Sequence, residues 1–241
     1  DLERLVNAGP PPGGEIRAER LIARLTRAGV TKYNLVGPAP ELPPGHRILV
    51  PGQVEDDASI RLGAGGLRTN LALLERVRAE NPDAVIVFKP HPDVEAGLRP
   101  GEVDETTAMR FADVIAKRTD ADVLIGQVDE VWTITSTLGF EALLRGKPVT
   151  CLGVPFYAGW GLTRDLCPAP DRRRAQPTLA AFTHAALIAY PRYVDPVSGL
   201  PCPPEVILAR LSGKRIPPPP GRNRLLSKLQ GLFASQSRLW R

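Results

Sequence analysis

Cysteine is scarce. Cys151, Cys167 and Cys202 stand far apart, form no CxxC pair or Cys/His metal spacing, and are odd in number. That pattern excludes a disulfide scaffold, points to a reducing compartment, and makes each thiol read as a small buried hydrophobe. Long hydrophobic runs are missing as well: no stretch of about 18 apolar residues exists, and the opening DLERLVNAGPPPGGE is charged and proline-rich, so neither a membrane span nor a signal peptide is legible. The chain reads as cytoplasmic. It also lacks the common phosphate cradles. No GxGxxG follows the first strand, no GxxxxGK[ST] is present, and GAGG at residues 63–66 lies too far past its strand to serve. The first residue is Asp rather than Met, and the start reads as the middle of a longer polypeptide, so a fragment is expected.

What is present has an ordinary soluble balance. The 241 residues are 43% hydrophobic and 24% charged, which excludes a disordered chain and a coiled coil. The 26 prolines are about twice the usual share of roughly 5%. The length allows one to two domains with a sizeable core. Charge is unevenly placed: residues 211–241 hold seven basic residues and no acid, and without them 24 basic residues face 26 acidic ones. The pI near 9.4 therefore comes from the tail and is no sign of a nucleic-acid groove.

Residues 15–29, EIRAERLIARLTRAG, place Ile16, Leu21, Ile22 and Leu25 on one helical face, with Gly29 at the stop position. A proline-rich connector follows at 36–46. Short apolar runs then alternate with amphipathic segments. Strands are expected at Ile48–Val50, Ala84–Phe88, Asp122–Ile125, Val131–Thr135 and Val149–Leu152. Helices are expected at Asn70–Glu80, Asp104–Arg118, Gly139–Arg145, Thr178–Tyr190 and Pro204–Leu211. Strands such as AVIVF, with no polar alternation, belong to a parallel sheet covered on both faces. The expectation is an α/β, Rossmann-like doubly wound body over 46–211, preceded by a segment 1–45 and followed by a tail 212–241.

Ligands of such sheets bind outside the carboxyl ends of the strands, so the segments after each strand carry the interest. Gly52-Gln-Val-Glu-Asp-Asp-Ala-Ser59 delivers Glu55, Asp56 and Asp57, paired carboxylates suited to acid, base or nucleophile or, more plainly, a solvated turn capping the next helix. Lys89-Pro-His-Pro-Asp93 aims His91 between two prolines; Lys89 and His91 fit a phosphate, or His91 merely ties down a rigid turn. At Thr135-Ser-Thr-Leu-Gly-Phe-Glu, Ser136 and Thr137 open a helix that reads as an anion site or as simple capping, and Glu141 one turn on suits a ribose hydroxyl or the helix dipole. A fourth stretch, Pro155 to Arg164, is either a sugar- or base-facing wall with Arg164 for a carboxylate, or a packed loop.

These strings are not random company. GQVEDDASIR at 52–61, NPDAVIVFKPHPDVEAG at 81–97, TSTLGFEALLRGKPVTCLGVPFYAGWGLTRD at 135–165 and YPRYVDPVSGLPCPPE at 190–205 resemble the capsule-polysaccharide β-Kdo transferases over about residues 30–210. The resemblance implies the nucleotide-binding half of a GT-B-like glycosyltransferase, in which two Rossmann-type domains face a cleft. It implies CMP-Kdo as donor and a Kdo-terminated phospholipid as acceptor, with no metal and no further cofactor. His91 would contact the departing CMP phosphate, Ser136 and Thr137 would hold it, and Glu141 would meet the ribose. Because the family is retaining, a carboxylate must attack the anomeric carbon. Asp57 is the first choice and Glu55 the second, while Asp56 alternates to the other side of an extended chain.

With only about 45 residues before the first strand, the partner acceptor domain is expected to lie outside this chain. Two rival readings accompany the transferase: a non-catalytic scaffold module of capsule assembly, and a nucleotide-sugar epimerase. In the tail, Leu225, Leu226, Leu229, Leu232 and Phe233 make one apolar stripe beside Arg222, Arg224 and Lys228. It reads either as a helix packed on the body or as a peripheral anchor on an anionic membrane.

Overall fold

The computed structural model describes residues 1–33, 37–38 and 40–213; the basic tail 222–241 lies outside them. The chain divides into two compact units, Asp1–Pro191 and Arg192–Arg241, the first of which holds both the segment 1–45 and the sheet.

The first unit opens with α1 (Leu2–Ala8) and α2 (Gly14–Arg27), continues through β1 (Arg47–Pro51), α3 (Ala58–Gly63), α4 (Asn70–Glu80) and β2 (Val85–Lys89), and passes two one-turn helices, α5 (Pro92–Glu95) and α6 (Glu105–Ala108). It then runs β3 (Val114–Ile115), α7 (Ala121–Gln127), β4 (Glu130–Thr133), α8 (Thr137–Leu144), β5 (Val149–Cys151), β6 (Arg164–Asp165) and α9 (Leu179–Thr183), which passes into a π-helical stretch at His184–Ala189. The six strands lie in the order β3-β2-β1-β4-β5-β6, and every neighbouring pair is parallel. The sheet is thus the Rossmann-like, doubly wound one its apolar strands imply.

Successive strand residues face opposite sides, and both sides are covered. Leu49, Val87, Val131, Val149 and Cys151 join one apolar layer with Phe140, Leu143 and Leu144 of α8. Ile48, Val50, Ile86, Phe88 and Trp132 join the other with Leu73, Leu74 and Val77 of α4. The N-terminal helix α2 packs on α9 and the π-helical stretch, burying Ala18 and Leu21, whereas Ile16, expected on the same face, is exposed.

Two expected elements are exchanged. The helix expected over Asp104–Arg118 is only α6, after which Val114–Ile115 adds β3 to the edge of β2. The strand expected at Asp122–Ile125 is α7: the Asp120 carboxylate accepts the Asp122 N–H at 2.8 Å as an N-cap, and Leu124 and Ile125 bury on one helical side.

In the second unit, β7 (Tyr193–Val194) and β8 (Pro201–Cys202) pair antiparallel, followed by α10 (Pro204–Ser212). Asp195 is buried at the turn. Both its oxygens accept from Arg210, at 3.0 and 2.9 Å, and Val197 N–H and Ser198 Oγ–H also donate to it. Hydrogen bonding from Arg210 holds its carboxyl far below the usual range. Among the described residues, no helix is long and apolar enough to cross a membrane.

Candidate active site

Strand order reverses between β1 and β4, since the chain winds outward from β1 through β2 to β3 and then returns to β4 on the other side. At such a point the loops leaving the two strands diverge and open a crevice. Here it is a cleft of about 470 Å³ lined by Lys32, Gln53, Asp57, His91, Ser136 and Thr137 among others.

A buried cross-link sets its floor. Gln53, the first polar side chain past β1, is 6% exposed. Its Oε1 accepts the Thr135 N–H at 2.9 Å and its Nε2 donates to Thr135 Oγ1 at 2.9 Å, so one amide ties the β1 loop to the β4 loop. Its backbone is held in turn by Asn70, which accepts from Gln53 N–H and donates to Gln53 C=O and Gly101 C=O. Sequence reasoning passed over Gln53. The available signal is an uncharged polar residue two positions past a strand whose last four residues are apolar.

The three adjacent carboxylates part ways. Glu55 turns back and accepts the Asn70 N–H at 2.7 Å, anchoring the first turn of α4, and does not line the cleft. Asp56 is exposed and pairs with Arg99 at 2.6 Å. Asp57 alone faces the cleft, where it caps α3 by accepting the Ser59 N–H at 2.9 Å. That backbone hydrogen bond holds its carboxyl below the usual range, against the opposing pull of partial burial. It is ionised at neutral pH.

His91 is fixed from both sides. Its Nδ1 accepts the Asp93 N–H at 3.2 Å as the N-cap of α5, which leaves the proton on Nε2, where Tyr33 Oη lies at 2.8 Å. The rings meet edge-to-face with centroids 5.4 Å apart. Burial lowers the His91 pKa, partly countered by Asp93, so at neutral pH the imidazole is an uncharged Nε2–H donor rather than a cation.

Ser136 is the N-cap of α8, its Oγ accepting the Leu138 N–H at 3.2 Å. The capping reading therefore holds, and it places the amino end of an eight-residue helix on the cleft wall. The loop is pinned from behind by Tyr157, whose hydroxyl donates to the Ser136 C=O at 2.5 Å. This contact explains Gly139: a Cβ there would sit 2.2 Å from the Tyr157 hydroxyl. The expected sugar- or base-facing wall at 155–164 is mostly a packed loop. Tyr157 and Trp160 are fully buried and join Phe140 and Phe182 in the core, and only Pro155 and Phe156 of the stretch line the cleft. Arg164 lies over the Trp132 ring, 5.4 Å from its centroid, and reaches toward Glu80 rather than the cleft.

A narrower apolar slot adjoins the cleft and shares Lys32, His91, Ser136 and Thr137 with it. Lys89 and Glu141 line the slot only. Glu141 accepts the Lys32 N–H at 2.6 Å, and burial raises its pKa above the ordinary carboxylate value. Residues 31–33, which close over this edge, carried no sequence signal. Among the described residues no group of three or more His, Cys, Asp and Glu side chains gathers as a metal site.

Fold and site together define a doubly wound α/β body whose crevice at the strand-order reversal carries a carboxylate, an imidazole and a helix amino end. The family model described as capsule polysaccharide biosynthesis protein matches residues 41–193, and the chain belongs to that family. Over 181 residues it is 48% identical to the capsule polysaccharide modification protein LipA of Neisseria meningitidis serogroup A, covering 74% of this chain and 26% of that protein. Over 181 residues it is 44% identical to the lipopolysaccharide-processing protein LpsZ of Rhizobium meliloti, covering 73% and 41%. The chain thus spans less than half the length of these relatives. Among solved structures, the β-Kdo 2,7 transferase of Thermosulfurimonas dismutans KpsC superposes with a TM-score of 0.75 at 39% identity, over 89% of this chain and 66% of that one. The β-Kdo 2,4 transferase of the same organism's KpsC gives 0.75 at 32% identity, over 88% and 67%.

Proposed function

We propose that this chain is the donor-binding half of a retaining glycosyltransferase that moves Kdo from CMP-Kdo to a Kdo-terminated glycolipid during capsule synthesis. The observation that carries the reading is the convergence of Asp57, His91, Ser136 and Thr137 on one cleft at the strand-order reversal. Likeness to two Kdo transferases over most of this chain supports the choice of sugar.

On this reading the Asp57 carboxylate attacks the anomeric carbon as the bond from that carbon to the CMP phosphate oxygen breaks. The electron pair leaves with the phosphate, giving CMP and a Kdo ester on Asp57. Its low pKa keeps the nucleophile ionised. His91 Nε2–H donates to the departing phosphate after Tyr33 releases it, and the amino end of α8 offsets the charge. An acceptor hydroxyl then attacks the anomeric carbon and gives up its proton to water, while the bond from that carbon to the Asp57 oxygen breaks and its electron pair restores the carboxylate, so two inversions give net retention. Glu141 takes a ribose hydroxyl. The reaction would run in the cytoplasm against a lipid-linked acceptor, with no metal or further cofactor.

The test is transfer itself. The protein carrying this chain, given CMP-Kdo and a Kdo-terminated glycolipid, should release CMP and lengthen the acceptor by one Kdo. CMP binding without transfer would leave the scaffold reading standing, and interconversion of free nucleotide sugars without an acceptor would favour the epimerase.

A further inference from the structure

Strands β1 and β4 carry two of the loops that meet across the cleft, yet they pair over only two positions, Ile48 with Glu130 and Leu49 with Val131. Where that ladder ends the crevice begins. Four residues further along each chain, from 49 to 53 and from 131 to 135, stand Gln53 and Thr135, in the register the ladder would have kept. There a side chain replaces the backbone pairing: the Gln53 amide accepts the Thr135 N–H and donates to Thr135 Oγ1, each at 2.9 Å. Its Oε1 also accepts from Thr133 Oγ1 at 3.4 Å, and Thr133 Oγ1 in turn accepts the Ser136 N–H at 3.1 Å. Gln53, Thr133 and Thr135 are all buried.

Each end of this link holds one side of the chemistry. On the β1 side the residue after Gln53, Val54, accepts the Asp57 N–H on its carbonyl at 3.2 Å, so the turn that presents Asp57 starts from the linked residue. On the β4 side Thr133 and Thr135 hold the backbone that leads into Ser136, the N-cap of α8. The link asks for a donor and an acceptor on one uncharged side chain, which a carboxamide supplies and a carboxylate does not.

We propose that Gln53 is a positioning residue: its amide stands in for the missing β1–β4 ladder and fixes the spacing between the Asp57 turn and the amino end of α8, so that nucleophile and departing phosphate address one anomeric carbon from opposite sides. The inference rests on the transferase reading above and adds to it the residue that sets its geometry.

The test measures kcat, KM for CMP-Kdo, CMP affinity by calorimetry and melting temperature, on the protein carrying this chain and on Gln53→Met, Thr135→Val and the two combined. Gln53→Met keeps the volume and breaks the link. It should lower kcat about ten- to a hundred-fold, the cost of a misplacement of order 1 Å, with KM and CMP affinity within about two-fold of wild type. Thr135→Val breaks one of the two bonds and should lower kcat less. The combined variant should melt above Gln53→Met, because a stranded hydroxyl is gone, while its kcat stays as low, because both changes remove the same link. Stability regained without rate is what separates positioning from a merely structural part. A kcat that climbs back with the melting temperature would overturn the proposal. So would a wild-type kcat in Gln53→Met, or an equal loss of CMP affinity and kcat, which would put Gln53 on the nucleotide. Should Gln53→Met fail to fold, Thr135→Val decides by the same comparison, and an unchanged kcat there overturns the proposal. Absence of transfer by the wild type sinks the transferase reading and the proposal together, whereas an active wild type beside unaffected variants sinks the proposal alone.

Discussion

Two loops attract attention in the sequence for opposite reasons, and the structure treats them oppositely. The acidic loop 52–59 scatters its three carboxylates: one anchors a helix, one pairs with an arginine and one faces the cleft. The aromatic loop 155–164 sends its largest side chains into the core and leaves Pro155 and Phe156 on the surface of the site. The difference lies in what each backbone asks of its side chains. An apolar ring near a sheet is drawn inward by its own surface, some 150–250 Å² for an aromatic. A carboxylate is placed by whichever unpaired N–H or cation lies within reach. The second loop also braces the site from behind, through the hydroxyl of Tyr157 on the Ser136 carbonyl.

The sharpest way to break this contrast is inside the acidic loop. Asp57→Asn should lower transfer by about 10⁴-fold or more with CMP affinity nearly intact. Glu55→Gln keeps an acceptor for the Asn70 N–H and should stay close to wild type in rate. An inactive Glu55→Gln beside an active Asp57→Asn would exchange the two roles.

Next comes the phosphate side. His91→Ala should weaken CMP about ten-fold or more, the worth of a hydrogen bond to a charged group, and leave cytidine unaffected. Equal loss of both ligands would make the histidine structural.

For the aromatic loop, Tyr157→Phe should cost about 1–3 kcal/mol by stranding the Ser136 carbonyl, measured by denaturant melts. Gly139→Ala should destabilise the wild type more than it destabilises Tyr157→Phe, because the first atom its Cβ meets is the Tyr157 hydroxyl. Additive losses would separate the two positions. Arg164→Ala, in the same loop but away from the cleft, should leave transfer unchanged.

The smallest expected effect is on pH. His91 and His184 both have pKa values lowered by burial, so the unfolded chain binds their protons more readily and stability must fall as pH drops through the ordinary value of 6.5. The His91→Asn variant should show a shallower loss on acidification, read from melting temperature against pH.

Much of this was legible beforehand. Runs such as ILV and VIVF have no polar alternation and declare buried parallel strands, and the positions after β1, β2 and β4 follow from that topology. The exchange of β3 with α7 was not legible, because ADVIA at 112–116 and ADVLI at 121–125 are nearly the same string. Only tertiary context separates them: the first pairs with β2 at the sheet edge, and the second is capped by Asp120 and buries one side. The loops that carry Asp57, His91, Ser136 and Thr137 are legible from strand-end position, while the choice of Asp57 among three carboxylates comes from the family resemblance rather than from residue type. Gln53 and the 31–33 segment were not legible, since their roles depend on contacts spanning 82 and 109 residues of chain.

The central claim is that Asp57 forms a bond to sugar within the cleft it shares with His91 and the amino end of α8. Mass spectrometry of the protein incubated with CMP-Kdo, with acceptor withheld, reads it directly. A peptide containing residues 52–61 should gain the mass of one Kdo residue at Asp57, and the gain should disappear on adding acceptor and in Asp57→Asn. A stable adduct on Glu55 or on any residue outside the cleft, or efficient transfer by Asp57→Asn, would contradict the account.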